Sequence, residues 1–245
     1  MAKNYLKDIF DFKFYLRWPI EFTKIASMPV RKIPKNYLVV TGGYSSRKSA
    51  VMDGFESLLE KEFLMLLDFD DTVEKFEVQP VRIPVSGVPR GYVPDILVHY
   101  QADPETGEIR KPLLVEIKHT DDIQRNEAKY APKFAAAQAF ALEQGWEFRL
   151  VNQNDIRTPR LVNLKFLREY RNVTPSAEDA ERVLTFASQS LHLTLQTLLN
   201  SLSTTEDERL HWLPIIWSMI HTRQLCVDMD QPFHNDMPIQ IGAGK

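Results

Sequence analysis

The chain has 245 residues, 44% of them apolar and 26% charged, with a formal net charge of −3. That is enough chain for one large core or two small ones, and the balance excludes disordered, collagen-like and low-complexity classes. The negative total argues against a nucleic-acid binder, yet it averages blocks of opposite sign: +6 over 1–55, −8 over 56–109, +4 over 110–172 and −5 over 173–245. The lone cysteine, Cys226, has no internal partner, which points to a reducing compartment. No apolar run approaches the roughly 18 residues of a membrane span, and the N-terminus lacks a signal-peptide core, so a soluble cytoplasmic protein without membrane contact is expected.

Residues 1–50 are basic and aromatic and are broken by Pro19, Pro29 and Pro34; the first 36 read as an arm. Arg17, Arg31, Lys32, Lys35, Arg47 and Lys48 are its expected contacts to a phosphate backbone. Residues 37–46 predict a short strand followed by a glycine turn. From Asp53 to Phe69 the apolar positions Phe55, Leu58, Leu59, Phe63, Leu66 and Leu67 recur every three or four residues, predicting an amphipathic helix whose C-terminus carries Asp68, Asp70 and Asp71. Strands are predicted over 72–78 and 81–85, separated by Gln79-Pro80. Two more, over 90–100 and 111–118, form a hairpin around the turn at 103–108. One helix over 123–144, ended by Gly145, and a strand over 146–151 follow. This order predicts an α/β core, a mixed sheet flanked by helices, over 37–172. The composition changes at Asn172–Pro175, where a second domain, 173–245, begins with three helices (about 176–189, 192–202 and 206–221) and ends in two strands, 225–229 and 237–241. Three helices and a hairpin outline a winged-helix-like, mainly α domain.

The pattern that carries chemistry is Pro94-Asp95 opening one strand of the hairpin and Glu116-Ile117-Lys118 closing the other. Alternation puts Glu116 and Lys118 on one face, with Val115 and Ile117 toward the core, and pairing sets Asp95 beside Glu116. Two carboxylates and a lysine in one volume suit metal-assisted phosphodiester hydrolysis, with hard oxygen ligands for Mg²⁺ and an ammonium to orient the nucleophile and offset charge. Glu56 and Glu60, four residues apart on the preceding helix, are both candidates for a third carboxylate. A Glu-x-Lys tripeptide alone is common on solvated strand faces; the joint order of helix, Pro-Asp, hairpin and Glu-x-Lys is what carries the signal. His119 adjoins the pattern and is a candidate phosphate contact or an ordinary loop-edge histidine. The six histidines show no zinc-site spacing, and Gly42-Gly43 lacks the ending of a phosphate-binding loop.

The motifs Thr41-Gly42-Gly43-Tyr44-Ser45-Ser46-x-Lys48, Glu56-Ser57-x-x-Glu60-x-x-Phe63-Leu64-x-Leu66-Leu67-Asp68-Phe69-Asp70 and Phe76-x-x-Gln79-Pro80 occur in this order. They are followed by Tyr92-Val93-Pro94-Asp95, Val115-Glu116-Ile117-Lys118 and Asp155-Ile156-Arg157-x-Pro159-x-Leu161-x-Asn163-Leu164-x-Phe166-Leu167. Together, over about residues 37–170, they resemble the TnsA family, the endonuclease subunits of Tn-seven-like heteromeric transposases. The resemblance implies a restriction-endonuclease-like PD-(D/E)xK fold that cuts the 5′ strand at transposon ends with Mg²⁺, Mn²⁺ being expected to substitute. It implies a TnsB-type transposase that cuts and joins the 3′ strand, and a TnsC-type AAA+ regulator that contacts the winged-helix-like C-terminal domain. It assigns Glu60 as the helix carboxylate, Asp95 as the central metal ligand, Glu116 as the acidic ligand before the lysine and Lys118 as the catalytic lysine, leaving Glu56 in a supporting place. The expected setting is the bacterial cytoplasm, acting on nucleoid DNA. Two alternatives share the pattern: a stand-alone restriction or junction-resolving nuclease, and a catalytically silent nuclease-fold module that bridges partners.

Overall fold

The computed structural model describes residues 42–46, 48–49 and 53–242. The arm over 1–36 and the expected phosphate contacts at Arg17, Arg31, Lys32, Lys35 and Arg47 lie outside these residues. The glycine pair expected to turn is instead a strand: β1 (Gly42–Tyr44) pairs antiparallel with β2 (Asp53–Phe55), Gly42 opposite Phe55. Glycine is needed there because a Cβ on Gly42 would stand 2.7 Å from the Phe55 ring. The helix predicted from Asp53 therefore starts later, as α1 (Leu58–Phe69), with extended Ser57 as its N-cap. Ser57 Oγ accepts from the Glu60 amide at 3.1 Å, a cap of about 1 kcal/mol. At the other end the Asp70 amide donates to the Leu66 and Leu67 carbonyls, so the acidic run is a helix C-terminus as expected.

β3 (Val73–Val78) follows, then a hairpin of β4 (Ile83–Val85) and β5 (Val88–Tyr92). The strand predicted over 90–100 is split: the chain leaves β5 at Tyr92, passes Pro94-Asp95 and re-enters as β6 (Ile96–Tyr100). The turn at 103–108 is closed by Asp103 Oδ1, which accepts from the amides of Glu105 at 3.0 Å and Thr106 at 2.8 Å, and it returns the chain as β7 (Leu113–Ile117). The single long helix expected over 123–144 is two, α2 (Thr120–Arg125) and α3 (Glu127–Glu143). The break falls at Asn126, whose backbone leaves the helical region and whose amide donates to both the carbonyl and the carboxylate of Asp122. Gly145, at φ +71°, ends α3 where a left-handed residue is required, and β8 (Glu147–Val151) then runs parallel to β7.

The sheet order is β3-β6-β7-β8, mixed in direction. Helices cover both faces. Ile96, Val98, Val115 and Ile117 pack with Leu59, Leu64 and Leu67 of α1, while Leu97 and Leu114 pack with Ala137 and Ala141 of α3. Each fully buried leucine contributes about 1.5–3 kcal/mol. Two short helices, α4 (Gln153–Ile156) and α5 (Pro159–Leu167), and a 3-10 turn to Tyr170 complete this region.

The C-terminal region is helical, as expected: α6 (Ala177–Gln189), α7 (Leu195–Leu202) and α8 (Glu206–His221). Thr194 and Thr205 cap the second and third of these with reciprocal hydrogen bonds. The two terminal strands shorten to β9 (Leu225–Cys226) and β10 (Gln240–Ile241), paired antiparallel. The core of this region includes Leu198, Ile216, Met219 and Leu225, together with Leu164 and Leu167 of α5, whereas Leu161 of the same helix belongs to the sheet core. Helix α5 is thus common to both cores. Its buried Asn163 donates to the Met229 and Gln231 carbonyls at 2.9 and 2.8 Å, and Arg160 grips Asp230 through two bonds of 2.8 and 2.7 Å. Among the described residues, no helix is long and apolar enough to cross a membrane.

Candidate active site

The β6–β7 ladder pairs Ile96 with Val115, and one residue earlier Asp95 stands across from Glu116. Asp95 is fixed from three sides. Its amide donates to the Val115 carbonyl at 3.1 Å, its carbonyl accepts from the Gln79 amide at 2.7 Å, and its Oδ2 accepts from the Ile117 amide at 2.7 Å. The side chain takes over a ladder bond where the strand itself has ended. Lys118 is held by its own amide on the Val151 carbonyl at 3.0 Å, and its ammonium lies 2.8 Å from Glu116 Oε1, 3.6 Å from Asp95 Oδ2 and 3.0 Å from the Ile117 carbonyl. The expected convergence of Asp95, Glu116 and Lys118 is therefore present.

The face that carries Glu116 is not solvated. Leu114 shares it, α3 covers it, and Glu116 is only 3% exposed. Burial, and then the charge of Asp95, push the Glu116 carboxyl up to about 8 despite the nearby lysine. Burial also raises Asp95, against the pull of Lys118 and the Ile117 amide. For Lys118 burial acts downward, but Asp95 and Glu116 outweigh it and hold the ammonium above its ordinary range.

Glu60 is the third residue of α1 and half-buried at its N-terminus. Its carboxylate accepts from the Glu56 amide at 2.7 Å and the Ser57 hydroxyl at 3.0 Å. Burial, then the charge of Asp95, push it up to about 7. Glu56 is drawn in as well: it accepts from Gln79 Nε2 at 3.2 Å, and its charge acts on Asp95. As they stand, no three His, Cys, Asp or Glu side chains among the described residues are gathered into a metal-holding group. The donors nonetheless fit a hard divalent cation. All are carboxylate oxygens, and Glu116 Oε2 is buried without a hydrogen-bond partner.

The sequence placed Tyr92 and Gln79 in the family motifs but gave neither a role in the site. Tyr92 is buried beside Glu116, and burial, then the charge of that carboxyl, raises its hydroxyl. The sequence signals for them were those motifs, with Tyr92 three before Asp95 and Gln79 at the Gln-Pro break. His119 is exposed at the N-terminus of α2, directly after Lys118. The Lys48 ammonium is engaged at the C-terminus of α1, donating to the carbonyls of Leu67, at 3.0 Å, and Asp70.

Residues 70–153 match the family model described as TnsA-like endonuclease N terminal, and residues 155–229 match the one described as TnsA endonuclease C terminal. No curated protein matches the chain.

Proposed function

The chain belongs to the TnsA endonuclease family, and on that premise we propose that it hydrolyses the 5′ strand at transposon ends in a Mg²⁺-dependent reaction, Mn²⁺ being able to substitute. Its place is the endonuclease subunit of a transposase. Its proposed partners are a TnsB-type transposase that processes the 3′ strand and a TnsC-type AAA+ regulator. The observation that carries the reading is the Lys118 ammonium set 2.8 Å from Glu116 and 3.6 Å from Asp95 at the end of a paired hairpin.

Glu60, Asp95 and Glu116 would hold the cation. When bound, it supplies Lewis acidity to the scissile phosphate and favours deprotonation of the attacking water. The residues of the chain do the rest. The Ile117 amide fixes one oxygen of Asp95 and leaves the other for coordination. The Lys118 ammonium, 2.8 Å from Glu116 and 3.6 Å from Asp95, is placed to orient the nucleophile and offset charge on the phosphate. Cover by α3 keeps bulk water away from Glu116. Phosphate contacts are proposed for Arg31, Lys32, Lys35, Arg47 and exposed His119, whereas the Lys48 ammonium is already engaged by the Leu67 and Asp70 carbonyls. Three helices followed by the β9–β10 ribbon support a winged-helix-like reading of the C-terminal region. Its balance of −5 over 173–245 suits a protein partner better than DNA.

The test is Asp95→Ala in a reconstituted transposition reaction. Loss of 5′-strand nicking with retained 3′ cleavage by the partner is expected; unchanged 5′ nicking would overturn the assignment.

A further inference from the structure

Gln79 closes β3 in an unusual state. It is 3% exposed and has φ +50°, one of two non-glycine residues with positive φ among the described residues. A left-handed backbone costs a side-chain-bearing residue about 1–2 kcal/mol, so the surroundings must hold it there. They do so from both sides. The register that pairs Val78 with Ile96 brings Gln79 opposite Asp95, and its amide donates to the Asp95 carbonyl at 2.7 Å. The left-handed turn ends the strand before Pro80 and sends the side chain to the segment just before α1, where Nε2 donates to Glu56 Oε1 at 3.2 Å. The Glu56 amide in turn donates to Glu60 Oε2 at 2.7 Å. One residue therefore connects the Asp95 backbone, by one hydrogen bond, to the helix carboxylate of Glu60, by two in series through Glu56. The Gln79 side-chain oxygen is left buried and without a partner. A buried amide oxygen in that state is an acceptor for a water or other donor in the site.

We propose that Gln79 is a positioning residue of the nuclease site, setting the spacing between Glu60 and Asp95 through Glu56. It makes no contact with the reacting atoms. The inference rests on the reading of Glu60, Asp95 and Glu116 as cation ligands, and it explains why a glutamine, long enough to span strand and helix, occupies a position that glycine or asparagine would adopt at less cost.

The test uses Gln79→Gly and Gln79→Asn in the full chain. Both residues accept φ +50°, and neither reaches Glu56. Mn²⁺ binding is measured calorimetrically without DNA, alongside the thermal midpoint, and kcat and KM for 5′ nicking are then measured with the partners present. The expected result for both variants is a thermal midpoint near that of the wild type, Mn²⁺ affinity reduced about 10-fold or more, and a lowered kcat with KM for DNA unchanged. Wild-type Mn²⁺ affinity and kcat in both variants would overturn the inference while leaving the nuclease reading intact. A wild-type chain that neither binds Mn²⁺ nor nicks DNA would overturn the nuclease reading and this inference with it.

Discussion

Replacing Lys118 with methionine keeps most of the side-chain volume and removes the one cation between Asp95 and Glu116. The side chains of Glu116, Asp95 and Lys118 are 4%, 17% and 24% exposed, so solvent does little to replace the lost charge. Deleting one partner of a buried ion pair costs about 3–5 kcal/mol when the other partner stays charged. Here the other partners can take up a proton instead, and Glu116 is already pushed up to about 8 with the lysine present. The cost therefore depends on pH. A carboxyl raised in the folded state favours folding below its unfolded pKa of about 4.5 and loses that contribution as pH rises through the folded value. Removing Lys118 raises the pair further, and each extra proton held by the folded state adds about 1.4 kcal/mol of destabilisation per pH unit. Glu116 already holds its proton up to about pH 8, so the extra proton falls on Asp95, and from pH 5 to pH 8 the destabilisation of Lys118→Met should grow by at most about 1.4 kcal/mol per pH unit. Urea unfolding in chelator at the two pH values measures it. An equal loss at both would refute the claim that Lys118 is electrostatically coupled to the two acids.

The wild-type chain should show the same sign. With Glu60 pushed up to about 7 and Glu116 to about 8, the metal-free protein should lose thermal stability from pH 5 to pH 8, and 5 mM Mn²⁺ should restore it at pH 8 but not at pH 5, as read by scanning calorimetry. Glu62 behaves in the opposite way. It joins α1 to the α4–α5 segment through Arg157 at 2.8 Å and Lys165 at 2.6 Å, and despite some burial these partners hold its carboxyl below the usual range. Its contribution is present above pH 4.5 and lost as pH falls. Glu62→Gln should therefore cost about 1 kcal/mol at pH 7 in low salt and clearly less in 1 M NaCl, since both cations are about half exposed.

The juxtaposition of Asp95 and Glu116 was legible because a two-residue period and a turn at 103–108 leave little freedom in register. The environment of that pair was not. Strand alternation separates Glu116 from Val115 but does not show that the Glu116 face is also covered, and only the packing of α3 on Leu97 and Leu114 reveals it. The break at Asn126 was hidden because the apolar and alanine spacing runs through it, whereas a local bond to Asp122 decides the backbone. The paired strands at Gly42 and Phe55 depend on ring-to-backbone contact between residues 13 apart, which no local pattern encodes. Gln79 read as punctuation because proline followed it; its partners, Glu56 and Asp95, become neighbours only in the folded sheet.

Helix α5 gives its first turn to one core and its last turn to the other, so neither region can shift as a rigid body without shearing it. The bonds around it lead to α1. Glu62 in its first half is tied to Arg157 and Lys165, and at its end Arg223, just beyond α8, donates to the Phe69 carbonyl and pairs with Asp71. The C-terminal region is thus tied, through Arg223 at one end and α5 along the side, to the same helix whose first turn carries Glu60.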